Sequence, residues 1–257
     1  DERIKNNLKE NKKISDLEIL CLSCYEPLTN FSWSNKIEFS NKLKEIFELQ
    51  IKNNEIEDQI SKSIKSISKV EDQVSIKVKK QYEENPYPIW ENLGLSIEPR
   101  KSKDVINDID LNLDLQKITI SESPEILIAG CGTGQHALTT ASKYKKSKIL
   151  ALDLSFRSLS YAKRKANELK MNNIDFIQGD ILDLESIDRK FDIIETVGVL
   201  HHMDNPFKGW DILTSCMNND SLMLIGLYSE RARQHIKEIK NKINKLKLQS
   251  NYKNIIK

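Results

Sequence analysis

Ile126-Leu127-Ile128-Ala129-Gly130-Cys131-Gly132-Thr133-Gly134 joins a short apolar run to a glycine-rich turn. A short apolar run that ends at a glycine-rich turn reads as a strand buried on both faces. Glycine reaches positive φ without steric cost and lets a ligand come close to the backbone. Residues 134–144 then read as a helix whose free amides and positive dipole end face that turn. Residues 148–152 read as a second strand, followed by Asp153. The spacing is G-x-G-x-G. Gln135 stands where a dinucleotide fingerprint, G-x-G-x-x-G, needs its third glycine.

The alternation continues outward. Ser155 is a good N-cap for a helix running to Lys170. Strands are expected at 175–178, 191–196 and 221–227, and helices at 205–216 and 229–248. This order predicts an α/β, Rossmann-like, doubly wound and mainly parallel sheet with helices on both faces. Ligands of such sheets bind outside the carboxyl ends of the strands. Asp153 lies there, 23 residues beyond Gly130, where a carboxylate can accept both hydroxyls of a ribose. In Gly179-Asp180-Ile181 the carboxylate can take the amino group of an adenine while Ile181 covers the ring. Glu195 ends the fourth strand at the same crevice. Each feature alone is better explained as a turn glycine or a helix-capping aspartate. The four in order point to an adenosyl ligand.

The remainder of the chain is plainer. Its 257 residues are 30% charged and 39% apolar, with a formal charge of +2, so net charge does not favour a nucleic-acid partner. No run approaches the ~18 apolar residues needed to span a bilayer. Residues 1–13 are too polar for a signal peptide, and Cys21, Cys24, Cys131 and Cys216 read as reduced thiols of a cytoplasmic protein. The chain begins at Asp1 without a methionine, as a fragment would. Residues 1–80 read as a helical N-terminal region. Ile56, Ile60, Ile64 and Ile67 share one helix face, with Glu57 and Asp58 on the wet side and a break at Asn53-Asn54. Residues 81–123 form a strap and connector, with a short helix near 101–109. The strap carries Tyr82, Tyr87 and Trp90 among two prolines, so it is expected to be extended. Residues 124–257 form the ligand-binding domain. Cys21-Leu-Ser-Cys24 has metal-site spacing but no second ligand pair, so it reads as a buried helix end and no metal is expected.

Residues 126–230 resemble the class I S-adenosylmethionine-dependent methyltransferases. Gly130-Cys131-Gly132-Thr133-Gly134 matches their first motif, Asp153 their ribose-binding position and Gly179-Asp180-Ile181 their adenine-contacting position. Val199-Leu200-His201-His202-Met203-Asp204 is similar to the segment after the fourth strand in their small-molecule branch. Val74-Ser75 followed by Gln81-Tyr-Glu-Glu-Asn-Pro-Tyr-Pro-Ile-Trp90, with Gly226-Leu-Tyr-Ser-Glu-Arg-Ala-Arg233 later, is similar to bacterial methyltransferases that often follow tetratricopeptide repeats. The resemblance implies S-adenosylmethionine held by Gly130, Cys131, Gly132, Gly134, Asp153, Leu154, Asp180, Ile181 and Glu195. It also implies two further sheet strands that this chain, ending at Lys257, lacks. The helical region would then be the end of a repeat array that holds a protein partner.

Methyl transfer asks chiefly for alignment of the acceptor, and a base only where the acceptor carries a proton. His202 and Glu195 are the candidates; His202 alternatively shapes its loop, and His201 is read as orienting that loop. Tyr82, Tyr87 and Trp90 form either a lid over the ligand or a strap that packs the helical region onto the sheet. His136 begins the helix after the turn and faces solvent or the ligand's tail. Glu195-Thr196-Val197-Gly198 stands where adenine-N6 and glutamine enzymes carry Asn/Asp-Pro-Pro-Tyr/Phe, and the nucleophilic cysteine of cytosine-C5 enzymes is absent. A small molecule with an O, N or C site is favoured as the acceptor, and a protein or an RNA nucleoside stays open. The alternatives are a catalytically silent binding module and a nicotinamide (NAD) oxidoreductase. Residues 231–257 carry nine Lys/Arg against one acidic residue and read as a solvated last helix.

Overall fold

Four strands of the computed structural model, Glu125–Ala129, Lys148–Asp153, Ile174–Gln178 and Phe191–Val197, fall within a residue of the apolar runs in the sequence; the structure describes residues 2–10, 12, 14–109, 111, 113, 114, 119 and 121–245. Chain order is α1 (Glu2–Lys9), α2 (Asp16–Ser23), α3 (Lys44–Phe47), α4 (Asn53–Ser63), β1 (Lys65–Ser66), α5 (Gln73–Glu84) and α6 (Ser102–Asn107). Then come β2 (Glu125–Ala129), α7 (Gln135–Lys143), β3 (Lys148–Asp153), α8 (Phe156–Glu168), β4 (Ile174–Gln178), β5 (Phe191–Val197), α9 (Pro206–Ser215), β6 (Met217–Gly226) and α10 (Gln234–Lys245). The expected end of the last helix at 246–248 and much of the 100–123 connector lie outside the described residues.

The sheet has six strands in the order β1-β4-β3-β2-β5-β6, every pair parallel. Residues alternate between two cores, as period-2 geometry requires. Ile126, Ile128, Ile149 and Ile193 pack with α7 and α8 on one face. Leu127, Leu150, Leu152 and Ile194 pack with α9 on the other. Turn chemistry sets the helix starts: Ser155 Oγ accepts the Ser158 amide, and Asn205 caps α9 ahead of Pro206.

The helical region departs from its expected layout in four places. First, Asn53-Asn54 is not a break: α3 runs through a π turn at Glu48–Lys52 straight into α4. The Asn54 amide donates to Gln50 O at 2.8 Å, which spares the backbone the competition that makes asparagine a breaker. Second, the Ile56–Ile67 stripe is not all helix. Ile64 is extended, Lys65 and Ser66 pair with Ile177 and Gln178, and the Ile67 amide donates to Gln178 O at 2.8 Å. Ile64 enters one core and Ile67 the other, so a two-residue edge strand replaces the last helical turn. Third, Glu57 is buried rather than wet, paired with buried Arg164 of α8 at 2.9 Å. Fourth, Cys21 and Cys24 are exposed, although α2 buries Ile19 with Trp33, Leu43 and Ile51 in a separate small core.

The strap also begins later than expected. Tyr82 and Glu83 lie in α5, capped by Asp72 on the amides of Val74 and Ser75, and the chain becomes extended only at Asn85. Proline at 86 disfavours helix in the residue before it and not three residues earlier. Glu83 accepts the amides of Phe156 and Arg157 at 2.8 and 3.1 Å, placing a carboxylate at the N-terminus of α8.

Candidate functional site

At the carboxyl ends of β2 to β5 lies a cavity of about 310 Å³. The turn after β2 contributes Gly130, Cys131, Gly132 and Thr133 to its wall. The turn after β3 gives Asp153 and Leu154, that after β4 gives Gly179, Asp180 and Ile181, and that after β5 gives Val197, Gly198 and Val199. Helix α5 supplies Ser75, Val78 and Tyr82, the strap Tyr87 and Pro88, and the loops beyond β5 and β6 supply His202, Met203 and Tyr228.

The three glycines of the turn have positive φ but different jobs. At Gly130 a Cβ would lie 2.3 Å from Val199, so the loop after β5 closes over the turn only because no side chain stands there. At Gly132 the nearest atom to a Cβ would be Tyr87 O at 3.6 Å, and the residue lines the cavity. Gly134 does not line it: a Cβ there would meet Ala162 of α8 at 2.5 Å, so this glycine serves the packing of α7 on α8.

Asp153 accepts the Gly132 amide on Oδ2 at 2.8 Å and the Ser155 amide on Oδ1 at 2.9 Å. Burial pushes its carboxyl above the ordinary range against those two hydrogen bonds, and Glu83 adds to the rise. Asp180 caps Leu182 through Oδ1, while its buried Oδ2, on the cavity wall, has no partner among the described residues. A buried polar atom left unpaired costs roughly 1–3 kcal/mol, a cost that a ligand donor would remove. Cys131 is buried, and that burial pushes its thiol well above the ordinary cysteine range.

Glu195 does not line the cavity. It shares the face of Ile193 and is turned toward α7, where it accepts Thr140 Oγ1 at 2.7 Å and pairs with His136 Nε2 at 2.7 Å. Burial raises its carboxyl, but the His136 and Thr140 hydrogen bonds outweigh this and hold it below the ordinary range. Direct contact of Glu195 with a ligand is therefore not what this geometry offers; His136 stands between it and the cavity. Trp90 is also off the wall. Its Nε1–H donates to Thr133 O at 3.0 Å, its amide donates to Tyr161 Oη at 3.2 Å, and its ring is buried. Trp90 is thus the anchor of the strap, whereas Tyr82 and exposed Tyr87 face the cavity. His202 lines the cavity beside His201 and Tyr228. Burial and the nearby Arg233 lower its ring below the ordinary histidine value.

Residues 120–257 match the family model described as a methyltransferase domain. The chain belongs to this methyltransferase family. The cofactor is S-adenosylmethionine. Among relatives, an uncharacterized protein of Synechococcus is 32% identical over 47% of this chain and 29% of its own length. A probable (S)-tetrahydroprotoberberine N-methyltransferase of Papaver bracteatum is 30% identical over 48% of this chain and 34% of its own. The chain therefore spans about a third of the curated relatives it matches. Rickettsia typhi PKMT2, solved in complex with AdoHcy, aligns with 52% of this chain and 27% of its own at 26% identity and a TM-score of 0.44. Among the described residues of this methyltransferase domain, no helix is long and apolar enough to cross a membrane.

Several wall residues have no role that the sequence assigns: Ser75, Val78, Val197, Met203 and Tyr228. Ser75, Val78 and Tyr82 follow i, i+3, i+7 on α5, a face that periodicity could have revealed. Tyr228 belongs to the Gly226–Arg233 segment, whose pattern alone assigns it no role.

Proposed function

We propose that this chain is an S-adenosylmethionine-dependent methyltransferase acting on a small-molecule O, N or C acceptor, in the tetratricopeptide-associated branch. The observation that carries the cofactor half is the pairing, on one cavity wall, of a side-chain-free Gly132 with two carboxylates, Asp153 and Asp180, whose Oδ2 has no partner among the described residues. Asp153 would hold the ribose hydroxyls, Asp180 the adenine amino group, Leu154 and Ile181 the ring faces, and the turn at Gly130-Cys131-Gly132 the amino-acid part. Bound there, S-adenosylmethionine supplies a methyl group already activated by its sulfonium.

The chain's own residues then have little bond chemistry to perform. Val78, Val197, Met203 and the aromatic rings of Tyr82 and Tyr228 exclude water and orient the acceptor. His202, neutral at physiological pH because its basicity is depressed, accepts a proton if the acceptor carries one. Tyr87 closes the outer side, held in place by Trp90 and Pro88. The N-methyltransferase names among the relatives support nitrogen as the acceptor atom. The organisation that follows is a helical region whose last helix ends at Glu84, a strap and connector from Asn85 to residue 123 and the cofactor domain at 124–257.

Asp180→Asn tests the reading. Asparagine caps a helix as well as aspartate but turns an acceptor into a donor at Oδ2. Calorimetric titration with S-adenosylhomocysteine should show affinity at least about tenfold weaker, with an unchanged melting temperature. Equal affinity would remove Asp180 from the site. Failure of the unaltered protein to bind S-adenosylhomocysteine would refute the function.

A further inference from the structure

Glu195 has an unusual position: a buried carboxylate in the middle of a sheet, on strand β5, facing helix α7 and not the cavity. Removing a charge from water is costly unless it is hydrogen-bonded and paired. Here Thr140 Oγ1 and His136 Nε2 both reach it at 2.7 Å. Thr140 sits one turn beyond His136 on α7, so both donors project from one helix face onto the same carboxylate. His136 lies in the first turn of α7, immediately after the glycine turn, and is part of the cavity wall. Its Nδ1 takes no hydrogen bond among the described residues.

A carboxylate accepts and does not donate, so its partner nitrogen must carry the hydrogen. In neutral His136 that places the proton on Nε2 and leaves a lone pair on Nδ1. The group behind a histidine sets which ring nitrogen is free, by the logic of carboxylate–histidine pairs in metal and hydrolase sites. We propose that Glu195 is a positioning residue that fixes His136 in the Nε2–H tautomer, and that His136 Nδ1 is the hydrogen-bond acceptor for the α-ammonium of the cofactor's amino-acid part. This deepens the function proposed above and rests on it. It also accounts for the buried charge. Glu195 keeps the wall behind His136 negative, which suits a cofactor carrying an ammonium and a sulfonium, and Thr140 satisfies the remaining lone pair of the same oxygen.

The pair can be switched with little change of volume. In Glu195→Gln the side-chain amide can donate to Nε2, which moves the ring proton to Nδ1 and converts the acceptor into a donor. The experiment is nitrogen-15 and proton NMR of the imidazole in ligand-free protein, with calorimetric titration of S-adenosylhomocysteine. The unaltered protein should show a protonated Nε2 and an unprotonated Nδ1. Glu195→Gln should couple the two readouts: a ring switched to Nδ1–H binds about tenfold weaker, whereas a ring kept as Nε2–H by the amide oxygen binds like the unaltered protein, and weaker binding in that case overturns the inference. His136→Gln, which lacks the ring but keeps an acceptor oxygen, should recover part of that loss when introduced into Glu195→Gln. Thr140→Val disturbs the same packing without touching Nε2 and should leave the tautomer unchanged, which separates positioning from structural support. An unaltered protein with a protonated Nδ1, or a Glu195→Gln protein that switches tautomer without losing affinity, overturns the inference. If Glu195→Gln does not fold, His136→Phe alone must weaken binding by a similar factor, and unchanged affinity there overturns it equally. The tautomer is read without ligand, so it stands or falls separately from a failure to bind S-adenosylhomocysteine, which would count against the function itself.

Discussion

Gly134→Ala isolates what the third glycine of the turn does. Gly134 has φ of 86°, a conformation that costs an L-residue about 1–2 kcal/mol. The new Cβ would also lie 2.5 Å from Ala162 Cβ and 3.1 Å from Ala162 Cα, so α7 and α8 must separate. Overpacking of this kind costs about 1–3 kcal/mol. The sum, about 2–5 kcal/mol, lowers the melting temperature by roughly 4–20 °C at about 2–4 °C per kcal/mol for a chain of this size. The clash share can be separated from the backbone share. Ala162→Gly alone costs about 1 kcal/mol as a helix-interior glycine, but beside Gly134→Ala it removes the 2.5 Å contact and returns part of the loss. Circular-dichroism melts of the two single variants and the double variant form a double-mutant cycle, with an expected coupling of about 1–3 kcal/mol. Purely additive melting shifts would refute the close approach. Gly132→Ala is the contrast, because its Cβ meets only Tyr87 O at 3.6 Å and faces the cavity. It should lose S-adenosylhomocysteine affinity with a melting shift confined to the backbone share. Greater loss of affinity in Gly134→Ala than in Gly132→Ala would contradict the division of labour.

Glu57→Ala leaves Arg164 buried with Glu168 as its remaining carboxylate, so destabilisation near the low end for a broken buried pair, about 3 kcal/mol, is expected in urea unfolding. An effect below about 0.5 kcal/mol would mean that the pair does not tie α4 to α8. Turnover should hold steady as pH falls through the ordinary histidine value and decline only below it, because burial and Arg233 favour the neutral form of His202. His202→Ala should abolish that acid limb and lower kcat by about 100-fold; an unaltered profile would leave His202 a wall residue. Trp90→Phe keeps the ring in its pocket but removes the bond to Thr133 O, at a cost of about 1 kcal/mol. Loosening of the strap should appear as protease cleavage near residue 87, and unchanged cleavage would speak against the anchor.

The cofactor side of the fold was legible because its signals are local. A strand, a glycine turn and an aspartate at the next strand end are consecutive in the chain, and parallel pairing alone brings Asp153 beside Gly132. Errors arose where one letter satisfies two geometries. Ile64 and Ile67 fit a helical stripe, yet an interval of three residues also places two side chains on opposite faces of a strand. Only Gln178, more than a hundred residues away, decides for the strand. The glycines at 130, 132 and 134 are identical as letters. What separates a ligand glycine from a packing glycine is Ala162, which no local pattern announces.

Glu195 shows the same limit in a form that bears on mechanism. Its alternation with Ile194 was readable and puts it on the face of Ile193, but the face that opens to the cavity is set by how α7, α5 and the strap are placed. Those placements also make the N-terminal region part of the site. Helix α5 crosses residue 80, lends Ser75, Val78 and Tyr82 to the cavity wall, and sends Glu83 to the amides of α8 directly after Asp153. A cofactor domain cut at residue 124 would keep the glycine turn and both aspartates, yet lose the wall opposite them. Such a piece should therefore retain the contacts that recognise an adenosyl group while losing those that exclude water and orient the acceptor.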